Sequence, residues 1–267
     1  MKKFKEADLR QVAKNNAEYI TPQALREFLQ SKIEKDNITV LEPAIGSGQL
    51  LFDAFDKIFA IDGYDINQNS LQTAKENFGE KLNIYNSDFI TSNIDKTYDY
   101  AIANYPFSLR ASEEQKMFIA NDVFLSQFFV KELKEGSTSL FDIKPIAKPQ
   151  DVNGVLDSMF ILKSFQYAKE GLYFCFPGIG YRGQEEKFRK YLIKNKLIKE
   201  YGMINNCQFD HTSISILFLH LTKAPNEQTK SFTLDLKTGE RLEMLATFEN
   251  NQFDFPRKEV ETECIDA

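Results

Sequence analysis

The segment Ile38-Thr39-Val40-Leu41-Glu42-Pro43-Ala44-Ile45-Gly46-Ser47-Gly48-Gln49-Leu50-Leu51 decides how the rest of the chain is read. Four β-branched or aliphatic residues predict a short buried strand, and Glu42-Pro43 makes an acidic turn. Two glycines then form a loop before an apolar run that predicts a helix starting near Gln49. Gly46 and Gly48 tolerate positive φ and leave the backbone bare, so a ligand can approach closely. No Lys-Ser/Thr pair follows, and the third glycine of a dinucleotide fingerprint is missing, so the loop is no phosphate cradle. A carboxylate at its start suits a cationic or amino-bearing ligand. The competing reading is a tight strand-to-helix turn carrying a surface glutamate.

Outward from this loop the pattern alternates strand and helix, which predicts an α/β fold with a mostly parallel sheet. Strands are expected near 38–42, 58–64, 82–86, 98–103, 171–176, 200–204 and 214–221, with helices beginning near Gln49 and Asn67 and others near 157–169 and 185–196. A first helix is expected from Pro22 to about Asp36, with Thr21 as its N-cap and Leu25, Phe28, Leu29 and Ile33 facing the sheet. Residues 108–156 break the rhythm as a long polar insertion, the kind of segment that is usually functional or mobile. Residues 1–224 read as one catalytic domain, and 225–267 as a small β appendage with a hairpin around Lys237-Thr238-Gly239.

The strand Tyr98-Asp99-Tyr100-Ala101-Ile102-Ala103 runs into Asn104-Tyr105-Pro106-Phe107. An Asn-x-Pro-aromatic turn at a strand end can hold a planar amino group. The asparagine oxygen and the next carbonyl accept from it, proline fixes the turn, and the aromatic ring offers a stacking face. Asn-x-Pro alone is ordinary turn chemistry; its weight comes from the glycine loop upstream.

With these motifs together, the chain resembles the S-adenosylmethionine-dependent N6-adenine DNA methyltransferases of γ-type motif order, most closely the methylase subunits of type I restriction-modification systems. The resemblance covers roughly residues 19–222. It rests on Tyr19-Ile20-Thr21-Pro22, on Leu41 to Gly48, on Gly63-Tyr64-Asp65-Ile66-Asn67, on Asn86-Ser87-Asp88-Phe89 and on Asn104 to Phe107. Phe176-Pro177-Gly178-Ile179-Gly180-Tyr181-Arg182-Gly183 and the following Glu185 to Lys196 extend it. One departure stands out: Tyr105 occupies the position of the family's first proline, which should relax the turn.

The resemblance implies a Rossmann-like methyltransferase fold with a mostly parallel, seven-stranded sheet flanked by helices. It implies S-adenosyl-L-methionine as cofactor, bound by Tyr19, Thr21, Glu42, Pro43, Ala44, Gly46, Gly48, Asp65, Ile66, Asp88 and Phe89. Of these, Glu42, Thr21 and the loop glycines would sit around its methionyl part, Asp65 would accept its ribose hydroxyls, and Asp88 or Phe89 would contact its adenine. Asn104, Tyr105, Pro106 and Phe107 would be catalytic, and Phe209 a second stacking face for a flipped adenine, although a core role for Phe209 is nearly as good a reading. The N6 lone pair of adenine is delocalised into the ring, so the amine needs hydrogen-bond acceptors to become nucleophilic, and no covalent nucleophile is required. C5-cytosine methylation, which uses a Pro-Cys nucleophile, is disfavoured because Cys175 precedes Phe176-Pro177 in a strand. Similar turns also serve enzymes that methylate RNA guanine or protein glutamine, and a weakly catalytic cofactor-binding assembly subunit is a further alternative.

The chain has 267 residues and a net charge of −6, so it should hold DNA weakly by itself. Arg182, Lys187, Arg189, Lys190, Lys194, Lys196 and Lys199 form a local basic group that is either a DNA contact or a solvated helix face. A separate specificity subunit, or a homodimer, is the expected partner. Three cysteines without a CxxC pair suggest a reducing cytoplasm, the charged start lacks a signal-peptide core, and no apolar run suits a membrane. His211 and His220 have no partner at metal-ligand spacing, so no metal is expected.

Overall fold

Strands β1 (Ile38–Glu42), β2 (Ile58–Asp65), β3 (Leu82–Asn86), β4 (Tyr98–Asn104), β5 (Ala168–Cys175), β6 (Ile198–Phe209), β7 (Thr212–Thr222), β8 (Lys230–Asp235) and β9 (Arg241–Leu245) form one sheet. Its order is β3-β2-β1-β4-β5-β7-β6-β8-β9. The computed structural model describes residues 21–105, 109–131, 148–209 and 212–257. Strands β1 to β5 are mutually parallel, and β7 runs antiparallel between β5 and β6. The expected seven strands become nine, because β8 pairs in parallel with β6 and β9 closes a hairpin against β8. An uncovered β6 edge would leave a row of backbone donors and acceptors unpaired. The residues around Lys237 to Gly239 thus turn a hairpin that lengthens the sheet, with Gly239 at φ 73°.

Helices α1 (Gln23–Ser31), α2 (Gln68–Phe78), α3 (Glu113–Asn121), α4 (Ser126–Phe129), α5 (Leu156–Gln166) and α6 (Glu186–Lys194) lie among these strands. Leu25 and Leu29 bury one face of α1, but the helix stops at Ser31, short of Asp36, and Ile33 reaches the core from the turn beyond. Thr21 does not cap it. Pro22 holds the N-cap position without a side-chain bond, and the Thr21 hydroxyl is used elsewhere. The segment after the glycine loop, Gln49–Lys57, is a 3₁₀ helix in which Leu50, Leu51 and Ala54 are buried. Asn67 caps α2 by accepting from the backbone N–H of Asn69 and Ser70. Within 108–156, α3 starts from a reciprocal Ser112/Gln115 capping box and α4 follows, so the described part of that insertion carries structure.

Alternation along β4 settles which side chain meets which layer. Ala101 and Ala103 belong to one buried apolar cluster, and Tyr100 and Ile102 to the other, which also contains Leu25 and Leu29 of α1. Because β1, β2, β4 and β5 are parallel, their C-terminal ends open on the same edge of the sheet.

Candidate active site

Glu42 ends β1 and is only 1 % exposed. Its Oε1 accepts the Ala44 N–H at 3.3 Å, whereas Oε2 is buried with no partner among the described residues. Burial, reinforced by the nearby Asp65 charge, pushes this carboxyl well above its ordinary 4.5, with the Ala44 N–H pulling the other way. A desolvated acid with an unused oxygen is costly to keep, and it matches a site built for an amino or ammonium group.

Asp65, at the end of β2, ties the two loops together. Its Oδ2 accepts the Gly46 N–H at 2.9 Å and its Oδ1 the Asn67 N–H at 2.8 Å. Gly46 and Gly48 have φ of 52° and 80°, and a Cβ on Gly48 would stand 2.6 Å from the Phe78 ring, so α2 seats directly beneath the loop. Pro43 is buried and Ala44 partly so, while Ile66 is 78 % exposed beside Asp65 and offers an open apolar face. Gln49, buried just past the loop, has neither amide atom partnered among the described residues.

Asn104 shares the parity of Tyr100 and Ile102, so it faces the α1 side. Its Nδ2 donates to the Thr21 hydroxyl at 2.9 Å, while its Oδ1 is buried without a partner among the described residues. Thr21 is held in turn: its carbonyl accepts Arg26 Nη1 at 2.8 Å, and Arg26 Nε pairs with Asp53 at 2.8 Å in the segment after the glycine loop. Arg26 is a functional residue that sequence reading missed. Its signal was present, since it lies three and seven residues from Leu29 and Ile33 and so shares their buried face.

Tyr105 continues the parity of Ala101 and Ala103 into the opposite cluster. Its ring is 2 % exposed, 4.9 Å from that of Phe160 and stacked on Tyr173 at 6.1 Å, with its hydroxyl 3.4 Å from Ser164. Burial pushes that hydroxyl well above its ordinary 10. Packing thus holds Tyr105 in the core at the position of the family's first proline. Pro106, Phe107 and Tyr19 lie outside the described residues.

Asp88 and Phe89 lie in the loop after β3. Asp88 accepts from the Ile90 N–H and from Gln115 Nε2, both at 2.8 Å, so its carboxylate joins this loop to α3. Phe89 is 1 % exposed, stacked on Phe160 at 5.6 Å and edge-on to Tyr64, a core ring without an open face. Beneath the loop, buried Lys163 donates to the carbonyls of Ile90 and Ser92 at 2.5 and 2.6 Å. Phe209 is 6 % exposed within the α1-side cluster, which is its core reading. Among the described residues no group of metal-binding side chains occurs, and no helix is long and apolar enough to cross a membrane. Cys175 and Cys207 are buried free thiols, whereas His211 and Cys264 lie outside the described residues.

Comparisons with known proteins agree with this geometry. The sequence profile of the N-6 DNA methylases matches residues 6–261. The methylase subunit of the type I restriction enzyme MpnII from Mycoplasma pneumoniae is 25 % identical over 251 residues, covering 83 % of this chain and 43 % of that protein. The type I restriction-modification methyltransferase subunit from Streptococcus thermophilus shares the fold with a TM-score of 0.64 at 18 % identity, over 94 % of this chain and 54 % of that one. The chain thus spans about half the length of these relatives.

Proposed function

The chain belongs to the N-6 DNA methylase family, and from that membership and the geometry of its strand ends we propose that it transfers a methyl group from S-adenosyl-L-methionine to the N6 amino group of adenine in DNA. The observation that carries the reading is the buried Oδ1 of Asn104 at the end of β4, which, like Oε2 of Glu42 at the end of the neighbouring β1, has no partner among the described residues. Both are acceptors, as a cationic cofactor and an amino substrate require.

The residues fit that cofactor. Glu42, Pro43, Ala44, Gly46 and Gly48, with Thr21, would hold its methionyl part, Asp65 its ribose hydroxyls, and Ile66 one face of its adenine. When bound, S-adenosyl-L-methionine supplies a methyl group already activated by its positive sulfur. Asn104 Oδ1 and the Tyr105 carbonyl then accept from the N6 amino group, freeing its lone pair and facing the positive charge that develops on nitrogen. Because adenine inside a duplex cannot reach these groups, the base flips out, with Phe107 as its stacking face. The catalytic machinery falls within residues 1–224. The acidic net charge of −6 and the relatives' greater length favour a separate specificity subunit that reads the sequence and supplies much of the DNA grip, with a homodimer as the other arrangement.

Incubation with the cofactor and mixed-sequence DNA, followed by nucleoside mass spectrometry, tests this. Wild type should yield N6-methyladenine, and Asn104→Ala should lose about 100-fold or more while still binding cofactor, the usual consequence of deleting one preorganised polar group. Equal product from both proteins would overturn the role of Asn104. Cofactor binding with no product would move the proposal to a partner-dependent enzyme or another planar amine.

A further inference from the structure

The loop after β5 follows the strand that lies next to β4, which ends in Asn104. Asn104 pairs in parallel register with Phe174, so Phe176 lies two residues beyond that pair, on the strand next to the Asn104 turn. In this loop the Arg182 guanidinium lies 4.3 Å over the Phe176 ring while the residue remains exposed, next to Tyr181 at 53 % exposure. The stack folds over Gly178, where a Cβ would stand 2.2 Å from the Phe176 ring and 2.7 Å from Arg182 Nε. Only glycine lets the two side chains close over the backbone there.

The loop backbone is braced from below. Arg189, 2 % exposed, donates through Nη1 to the carbonyls of Ile179 and Arg182 and through Nε to that of Asn251, each at 2.8 Å. The Arg182 N–H donates to the Gly178 carbonyl at 2.8 Å. The rest of the basic group is largely committed. Lys190 pairs with Glu186, Lys196 with Glu227 and Lys199 with Glu34. Arg182 therefore differs from these lysines in being oriented by an aromatic ring on the loop that follows β5, the strand next to the one that ends in Asn104. Buried Glu185 lies in the same loop, its carboxyl raised above its ordinary 4.5 by burial.

We propose that Arg182, preorganised on Phe176, is the positioning residue that grips the DNA backbone phosphate next to the flipped adenine. This rests on the DNA-methylation reading above. A guanidinium held by a ring loses little freedom on meeting a phosphate and presents a planar fork to its oxygens. In a chain of net charge −6 such placed contacts must replace a broad basic surface. Arg189, in the same sequence cluster, serves the loop and not the DNA.

The test is fluorescence-anisotropy binding of a short duplex with one mismatched adenine, as a function of salt, using the full chain and its Arg182→Ala, Arg182→Lys and Phe176→Leu variants. Cofactor affinity is measured in parallel. Arg182→Ala should weaken DNA binding about tenfold at low salt and reduce the slope of log K against log salt by about 1, with cofactor affinity and melting temperature held. Arg182→Lys should recover the slope but only part of the affinity, and Phe176→Leu should fall between. Unchanged DNA affinity and slope in Arg182→Ala, with wild type binding normally, would overturn the inference alone. No DNA binding by wild type at any salt would overturn both the inference and the DNA reading on which it stands.

Discussion

At the ends of β1 and β2 the polar groups are held mainly by backbone donors, whereas at the ends of β4 and β5 they are held by remote side chains. Glu42 and Asp65 take the N–H groups of Ala44, Gly46 and Asn67, so the cofactor half needs only strand, turn and glycine loop. Asn104 leans on Thr21, 83 residues away, and Tyr105 on Ser164, 59 residues away. The first half is a local device repeated wherever a strand meets a glycine loop. The second exists only once the layers have closed.

This contrast can be broken at several points. The largest stability effect should follow Tyr105→Ala, which empties a site between Phe160 and Tyr173. A loss of about 3–5 kcal/mol in chemical denaturation is expected, against less than about 1 kcal/mol for Tyr105→Phe, because Ser164 and Tyr173 still satisfy each other at 3.0 Å. Near-wild-type stability in Tyr105→Ala would mean that the turn does not depend on the core. Next, Thr21→Val keeps the shape but leaves Asn104 Nδ2 without its acceptor. The methylation rate should fall about tenfold, equivalent to about 1.4 kcal/mol, with melting nearly unchanged; an unaltered rate would make Asn104 self-sufficient.

The smallest effect belongs to the cofactor half. Because the folded pKa of Glu42 lies above its unfolded value, its stability contribution is full below the ordinary carboxylate range and is lost as pH rises through the raised value. Glu42→Gln should therefore melt a few degrees higher than wild type near pH 8, with the gap closing toward about pH 4, while cofactor affinity drops. A gap that widens on acidification would reverse the upward direction of the Glu42 shift.

Much of the fold was legible because burial on both sheet faces writes continuous apolar strands, and glycines at fixed offsets mark the turn between β1 and the next segment. The strand ends and the residues Glu42 and Asn104 could be placed from pattern, and Asp65 from the family resemblance. Phe89 and Phe209 could not, because an aromatic residue at a strand end reads the same whether it lines a site or fills a core, and this chain has 24 phenylalanines. The hairpin of β8 and β9 was legible as a hairpin, but the edge it covers was not, since edge pairing depends on which strands are already neighbours.

The sequence by itself determined the alternation of strand and helix, the glycine loop with its acidic start, and the asparagine turn after β4, because each is written within a dozen residues by backbone sterics and side-chain period. Tertiary structure alone decided that Thr21 meets Asn104 and does not cap α1, that Arg26 ties Thr21 to Asp53, that Tyr105 takes the proline's place by stacking in the core, and that Arg189 is buried while Arg182 stays exposed. Those outcomes depend on contacts between segments far apart in the chain, where burial and hydrogen-bond satisfaction outweigh local preference.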